Sequence, residues 1–403
     1  MNKKRLLNQA IVAAIALSST HAMAAGFQLN GQSATGLGRA FAGDAVIADN
    51  ASAMARNPAA MALFKKSSLS VGFNVIDTDV RIKEGTYFDG WGGEESISNT
   101  NGIGGTSFVP NFFFVNPVNE KFAWGVAAYS NFGTATQFKD DFAAATFGGT
   151  TSVKSANLGA SLSYRINEQF SVGAGLDLIY GVGELKRGAP SGSALSVEAD
   201  GSAIGWNIGT TYEVNPNHRF GLSYRMSPEL EASGKVSTAI TAGSDDVLYM
   251  PLPDMVEFSG YHRLAEKFAM HYSIQWVGWA EFDKIKTKEL GTLKQYDWKD
   301  AGHVSIGGTY DLNSDWTLRA GYMYDVAATD KKKSISIPDS DRQWLSAGAG
   351  YSLSENSVID FGFTYLIGQD VKLKEASDVS FAYVEATTRA DAILFGLQYS
   401  HSF

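Results

Sequence analysis

The chain is 403 residues long, 44% hydrophobic, with a formal charge of −9 and no cysteine. Disulfide staples, thiolate metal sites and cysteine nucleophiles are excluded together, so burial and hydrogen bonding must supply the stability. So acidic a chain is also a poor partner for nucleic acid.

The first 24 residues read as a secretory signal peptide, with a basic start at Lys3, Lys4 and Arg5, an apolar run over 10–17, and Ala22-Met23-Ala24 before the expected cleavage. Losing the three basic residues takes the formal charge from −9 to −12. A retained anchor needs about 20 apolar residues, and neither this run nor any later one reaches that length. A membrane-resident form of this chain must therefore cross the bilayer with strands.

Residues 25–65 do not alternate. They are rich in Gly, Ala and Asn, with a short helix predicted over 49–55 that Pro58 limits. Phe27, Leu29, Leu37, Phe41, Val46 and Met54 give this stretch apolar contacts to bury, which favours a plug in a lumen over a loose tail.

From 66 to 403 the sequence alternates with period two. Leu158, Ala160, Leu162 and Tyr164 are separated by Gly159, Ser161 and Ser163, and Phe361, Phe363 and Tyr365 repeat the pattern. Alternation alone does not separate a soluble sandwich from a membrane barrel. The connections help to decide. Six short turns, at 116–121, 166–169, 214–218, 262–267, 312–315 and 353–356, alternate with longer polar or Gly-rich stretches near 84–105, 136–152, 187–203, 236–252, 286–300, 328–340 and 375–387. Trimmed turns on one side and elaborated loops on the other are the habit of outer-membrane barrels.

Aromatic residues bracket the short turns, as in Tyr164 with Phe170 and Tyr310 with Trp316, matching what a headgroup boundary selects. Ile393, Phe395, Leu397, Tyr399 and the terminal Phe403 share one face of the last strand, which resembles the signal read by the barrel assembly machinery. The expected fold is all-β, a transmembrane 14-stranded antiparallel β-barrel over 66–403 with an N-terminal hatch inside the lumen.

Ala25-Gly26-Phe27-Gln28-Leu29-Asn30, Gly36-Leu37-Gly38-Arg39-Ala40, Asn57-Pro58-Ala59, Ser130-Asn131-Phe132-Gly133, Leu252-Pro253-Asp254-Met255 and Ser336-Ile337-Pro338-Asp339 occur in order along the chain. In this it resembles the FadL family of outer-membrane long-chain fatty-acid transporters. The resemblance implies a hatch containing Asn57, Pro58 and Ala59, and a third strand that kinks at Ser130, Asn131, Phe132 and Gly133 to open the wall sideways. It further implies a ligand carboxylate at Arg187 and Lys294 bordered by Phe27. One departure is that the third and fourth outer loops are short and polar here. The partners it implies are a fatty acid or another hydrophobic small molecule, aromatic hydrocarbons included, with outer-membrane lipid and lipopolysaccharide around a monomer.

Other chemistries are disfavoured by the residues. No Gly-x-Ser-x-Gly elbow or His-Glu-x-x-His pair occurs, and His218, His262 and His401 fall at the turn side, away from where a lipid hydrolase keeps its histidine. His271 and His303 read as lumenal hydrogen-bonding residues. Asp245-Asp246 reads as a solvated loop tip, and neither a metal nor another cofactor is expected. A nonspecific porin would carry no hatch.

Overall fold

In the computed structural model, which describes residues 26–189, 192–238, 243–378 and 380–403, the alternating segments form one antiparallel sheet. The expected signal peptide, cleaved after Ala24, lies outside the described residues. The staves are β1 (Ser68–Phe88), β2 (Thr106–Pro117), β3 (Phe122–Tyr129, resuming at Gly133–Gln137), β4 (Thr150–Arg165), β5 (Phe170–Ala189) and β6 (Gly192–Asn215). They continue as β7 (His218–Met226 and Glu229–Thr238), β8 (Ser244–Pro251 and Met255–Ala265), β9 (Phe268–Val277) and β10 (Ala301–Asp311). The last are β11 (Trp316–Val326), β12 (Arg342–Ser354), β13 (Ser357–Ile367 and Val371–Ala376) and β14 (Tyr383–Ser402). The barrel therefore has 14 strands. It closes where β1 pairs with β14, from Ser68 opposite Ser402 to Phe88 opposite Tyr383. Closure pairs the first and last staves with each other, so neither leaves its amides facing lipid, where each would cost several kcal/mol.

The two faces decide the solvent. Leu162, Leu176, Ile204, Ile274, Val304 and Ile306 are exposed on the outside, while Ser161, Ser163, Asp177, Asn207, Gln275, His303 and Ser305 are buried inside. A soluble sandwich would show the reverse, so the apolar wall is built for lipid. At the short turns Asn side chains replace missing backbone partners: Asn119 Oδ1 accepts from the amides of Lys121 and Phe122, each at 2.9 Å, and Asn313 does the same for Asp315 and Trp316. Aromatic pairs flank these turns, with ring centroids 4.7 Å apart for Phe122 and Tyr164 and for Phe170 and Tyr212.

Several stretches read as polar loops are strand. The β5–β6 ladder runs from Phe170 opposite Tyr212 up to Ala189 opposite Gly192, through most of 187–203. Alternation persists there with charged outer residues, as Lys186 pairs with Glu184 and Glu198 at 2.7 Å, while Leu185, Val197 and Ala199 point inward and are buried. The fourth stretch does the same with Leu248 and Met250. These outer extensions are polar toward water and apolar toward the lumen.

Residues from Gly26 to Phe64 fill the inside. A one-turn helix at Ala34–Leu37 starts at Ser33, whose Oγ accepts from the Gly36 amide. The helix expected over 49–55 is a single turn at Ala53–Arg56, and Pro58 begins a 3-10 helix (Pro58–Leu63) instead of only ending one. Proline suits a first helical position, where its missing N–H has no partner to lose, and Asn57 Oδ1 caps the Ala59 amide at 3.0 Å. The segment bonds all round the wall: Asn74 Nδ2 donates to Gly31 O at 2.6 Å, Gly43 N to Ser273 Oγ at 2.9 Å, and Ala34 N to Gln398 Oε1 at 3.1 Å.

Candidate functional site

The third stave is interrupted. Between Tyr129, opposite Asn157, and Gly133, opposite Lys154, β3 advances four residues while β4 advances three, which is a one-residue bulge. The consequence lies on the other side. β2 pairs with β3 only from Phe112 opposite Ala128 to Pro117 opposite Ala123, and the outer part of β3 pairs with β4 alone. Above Phe112 the facing edges of β2 and β3 are not joined until Gln137 N meets Ile103 O at 2.8 Å.

The interrupted residues turn inward and are taken up by the N-terminal segment. Leu29 N donates to Asn131 O at 2.6 Å and Gly133 N to Phe27 O at 2.9 Å. Gln32 Nε2 donates to Asn131 Oδ1 at 3.1 Å. Ser130 Oγ donates to Ser155 O, and Phe132 N to Ser155 Oγ at 3.0 Å, so each break residue has a partner other than a β2 strand edge.

Phe27 and Phe132 meet there, with ring centroids 6.0 Å apart. Phe27 is fully buried and edge-on to Trp279 at 4.6 Å and Phe282 at 5.0 Å, and Trp298 lies 5.7 Å away. Trp279 belongs to a 3-10 turn after β9 (Trp279–Glu281). Tyr296 continues the run, 5.0 Å from Phe282 and 6.0 Å from Trp298. Lys294, on a small outer hairpin (Lys284–Thr287 with Gly291–Gln295), holds its ammonium 5.4 Å over the Tyr296 ring. Leu185, Val197, Leu248 and Met250 belong to the same apolar cluster as Phe27.

Arg187 is buried beside this end, within electrostatic range of Tyr296 and Glu375. Its guanidinium donates to Thr150 O at 2.9 Å, Lys186 O at 2.8 Å and Thr151 Oγ1 at 2.9 Å. Lys294 is ion-paired with Glu375 and donates to Ser334 Oγ at 3.0 Å. A chain of rings thus leads from two cations at the mouth to the unjoined edge of the wall.

Asn57, Pro58 and Ala59 lie elsewhere. Asn57 Nδ2 donates to Thr210 O at 3.0 Å and to Ala45 O at 2.9 Å, and any side-chain carbon at Gly209 or Gly173 would overlap Asn57 or the Pro58–Ala59 backbone. Gly173 is eight residues along β5 from Gly181, which pairs with the Ser155 of the break. That is roughly 25 Å along the strand. Arg56 spans part of the interval: it donates to Asn30 Oδ1 at 2.8 Å and Gln32 Oε1 at 3.0 Å, and pairs with Glu257 at 3.2 Å. Below the rings the lumen is polar, with Gln28, Gln32, Arg56, Arg225, Glu257 and Gln275 around one small void. The wide apolar concavity at Leu162, Val172, Ile208 and Leu222 is on the outer, lipid-facing wall and not in the lumen.

Sequence reasoning missed Trp279, Phe282, Tyr296, Trp298 and Glu375. A signal was present, since three of the eight tryptophans fall between 276 and 298. Of the histidines read as lumenal, His271 bonds through Nε2 to Thr309 Oγ1 at 2.9 Å, and His303 is buried.

These features define a class: a plugged β-barrel of the Gram-negative outer membrane. Residues 15–403 match the model of the outer membrane protein transport protein family (OMPP1/FadL/TodX), and the chain belongs to that family. It is 34% identical over 458 residues to the long-chain fatty acid transport protein of Escherichia coli strain K12, covering all of both chains. It is also 34% identical to outer membrane protein P1 of Haemophilus influenzae strain Rd, covering 98% of this chain and 99% of that one. Among solved structures, a Pseudomonas aeruginosa FadL homologue superposes with a TM-score of 0.86 at 22% identity, over 94% of this chain and all of that one. The Ralstonia pickettii toluene transporter TbuX gives 0.70 at 17% identity, over 93% and 99%. At these identities the two structures speak for the fold.

Proposed function

We propose that the barrel carries long-chain fatty acids passively across the outer membrane and releases them sideways. The carboxylate rests at Arg187 and Lys294, the acyl chain follows Tyr296, Phe282, Trp298 and Trp279, and the exit is the β2–β3 edge at Ser130, Asn131, Phe132 and Gly133. Phe27 occupies the middle of this route, so passage requires its ring to move, and the hatch around Asn57, Pro58 and Ala59 moves or holds with it. The observation that carries this reading is the unbroken run of rings ending where β2 and β3 are not paired with each other.

The physics favours the sideways route. Each CH₂ taken from an apolar surface into water costs about 0.8 kcal/mol. Straight descent would lead the chain past Arg56, Glu257, Gln275 and Arg225, whereas the side exit opens toward the outer leaflet. Nothing in the route calls for ATP or a metal; a sink that consumes the ligand sets the direction. The name of the Escherichia coli relative supports the ligand class.

A second reading, uptake of neutral aromatic hydrocarbons, is favoured by the aromatic lining itself, whose edge-to-face geometry also suits an aromatic guest. Native mass spectrometry with lipid extraction on the detergent-purified barrel separates the two. A fatty acid co-purifying with wild type and lost from the Arg187→Ala, Lys294→Ala double variant is the expected result, each charged hydrogen bond contributing about 1.5–3 kcal/mol. An unliganded barrel that takes up added neutral aromatics equally well in both forms would replace the first reading with the second.

A further inference from the structure

We propose that Glu375 is an internal carboxylate that competes with the ligand's headgroup for Lys294, and so sets how strongly the barrel prefers acids over neutral hydrophobes. The inference rests on the reading of Arg187 and Lys294 as the headgroup site.

Four outer segments converge at this point. Glu375 comes from the outer piece of β13, Lys294 from the hairpin before β10, and Ser334 and Ile335 from the connection between β11 and β12. Arg187, on β5, lies within electrostatic range of Glu375. The Glu375 carboxylate is nearly buried and accepts from three donors: the Lys294 ammonium, Ser334 Oγ at 3.0 Å and the Ile335 amide at 2.9 Å. Its position beside Tyr296 and Lys294, at the head of the ring path, is where a ligand carboxylate would seek the same ammonium. Arg187 differs. Its guanidinium donates to two carbonyls and a hydroxyl, and no carboxylate lies within 4 Å of it among the described residues.

The charges make the arrangement an exchange. An incoming acid must take Lys294 from an anion already in place, while Arg187 still has charge to offer. Glu375 does not become stranded when Lys294 turns away, because Ser334 and Ile335 keep two of its three bonds, which lowers the cost of the swap. A neutral ligand of the same length needs neither cation, so the resting ion pair leaves its binding untouched. Glu375 therefore penalises acids selectively, and removing its charge should raise the preference for them. No residue of the sequence-based headgroup site predicted a carboxylate at this position.

The test compares binding of ionised oleate and of oleyl alcohol to the detergent-purified barrel in wild type, Glu375→Gln and Glu375→Ala. Glu375→Gln keeps shape and acceptor oxygen but removes the charge. The expected result is oleate affinity raised about tenfold in both variants, the equivalent of roughly 1.4 kcal/mol, with the alcohol unchanged. Tightening of both ligands would mean that the change merely opens the path, and no change in either would mean that Glu375 plays no part; each overturns the proposal. Weaker oleate binding would make Glu375 a support that positions Lys294, and also overturns it. The Arg187→Ala, Lys294→Ala barrel is the control for the underlying reading. If that double variant binds oleate like wild type, the headgroup site itself has failed; if it binds poorly while Glu375→Gln does not tighten, only the competition falls.

Discussion

At the scale of single residues, Phe27 joins the plug to the run of rings. It is fully buried against Trp279, Phe282, Trp298 and Phe132, while its own carbonyl accepts from Gly133 N. Removing such a ring from a packed site costs about 3–5 kcal/mol, here charged to the local seating of the N-terminal segment since the wall keeps its own ladder. Phe27→Ala should therefore leave an intact barrel whose residues 26–32 exchange amide hydrogens much faster; unchanged protection there would remove Phe27 as the anchor. The expectation that it borders a headgroup site came from the resemblance, because a lone Phe in a Gly-rich stretch says only that it wants burial. The rings that surround it were legible in principle. They were passed over because Trp279, Phe282, Tyr296 and Trp298 are spaced among charges such as Glu281, Asp283, Asp297 and Lys299, which mark a solvated loop when averaged.

At the scale of elements, the plug and the wall touch backbone to backbone. Gly173 and Gly209 leave the room in which Asn57-Pro58-Ala59 rests, and the Asn57 amide bridges Thr210 O and Ala45 O. Gly209→Ala should lift this part of the plug while strand pairing survives, and sensitivity of cells to small hydrophilic antibiotics should rise. A variant no leakier than wild type would show that the contact does not seal the lumen. Strands and turns were the most legible elements, since period two and Asn-led turns such as Asn119 to Phe122 act locally. Outer boundaries were not, because Glu198 and Asp200 make a strand that stands in water look like a loop, although Val197 and Ala199 keep the alternation on its inner side. The apolar inner row of the third and fourth outer stretches tempers the departure noted from the sequence: short and polar outside, they still contribute to the apolar cluster around Phe27.

At the scale of the molecule, alternation gave two-faced strands but not which face met lipid; the buried Asp177, Asn207 and Gln275 opposite exposed Leu176, Trp206 and Ile274 decide it. The unjoined stretch between β2 and β3 is a property of three strands together. Nothing in Ser130-Asn131-Phe132-Gly133 as a tetrapeptide announces that β2 and β3 part there, and only the register, four residues against three, makes it visible. Deleting Asn131 removes the extra residue, so that Ser130 and Phe132 fall opposite Ala156 and Ser155 and β3 runs on beside β2. Loss of the Asn131 bonds to Leu29 and Gln32 would by itself loosen the plug, and so works against a fall in uptake. The decisive measurement is the rate of labelled oleate uptake by cells whose sole transporter of this type is the Asn131 deletion, alongside oleate binding by the purified, heat-modifiable barrel. Retained binding with uptake abolished is the predicted result; wild-type uptake through the straightened strand would contradict the sideways route.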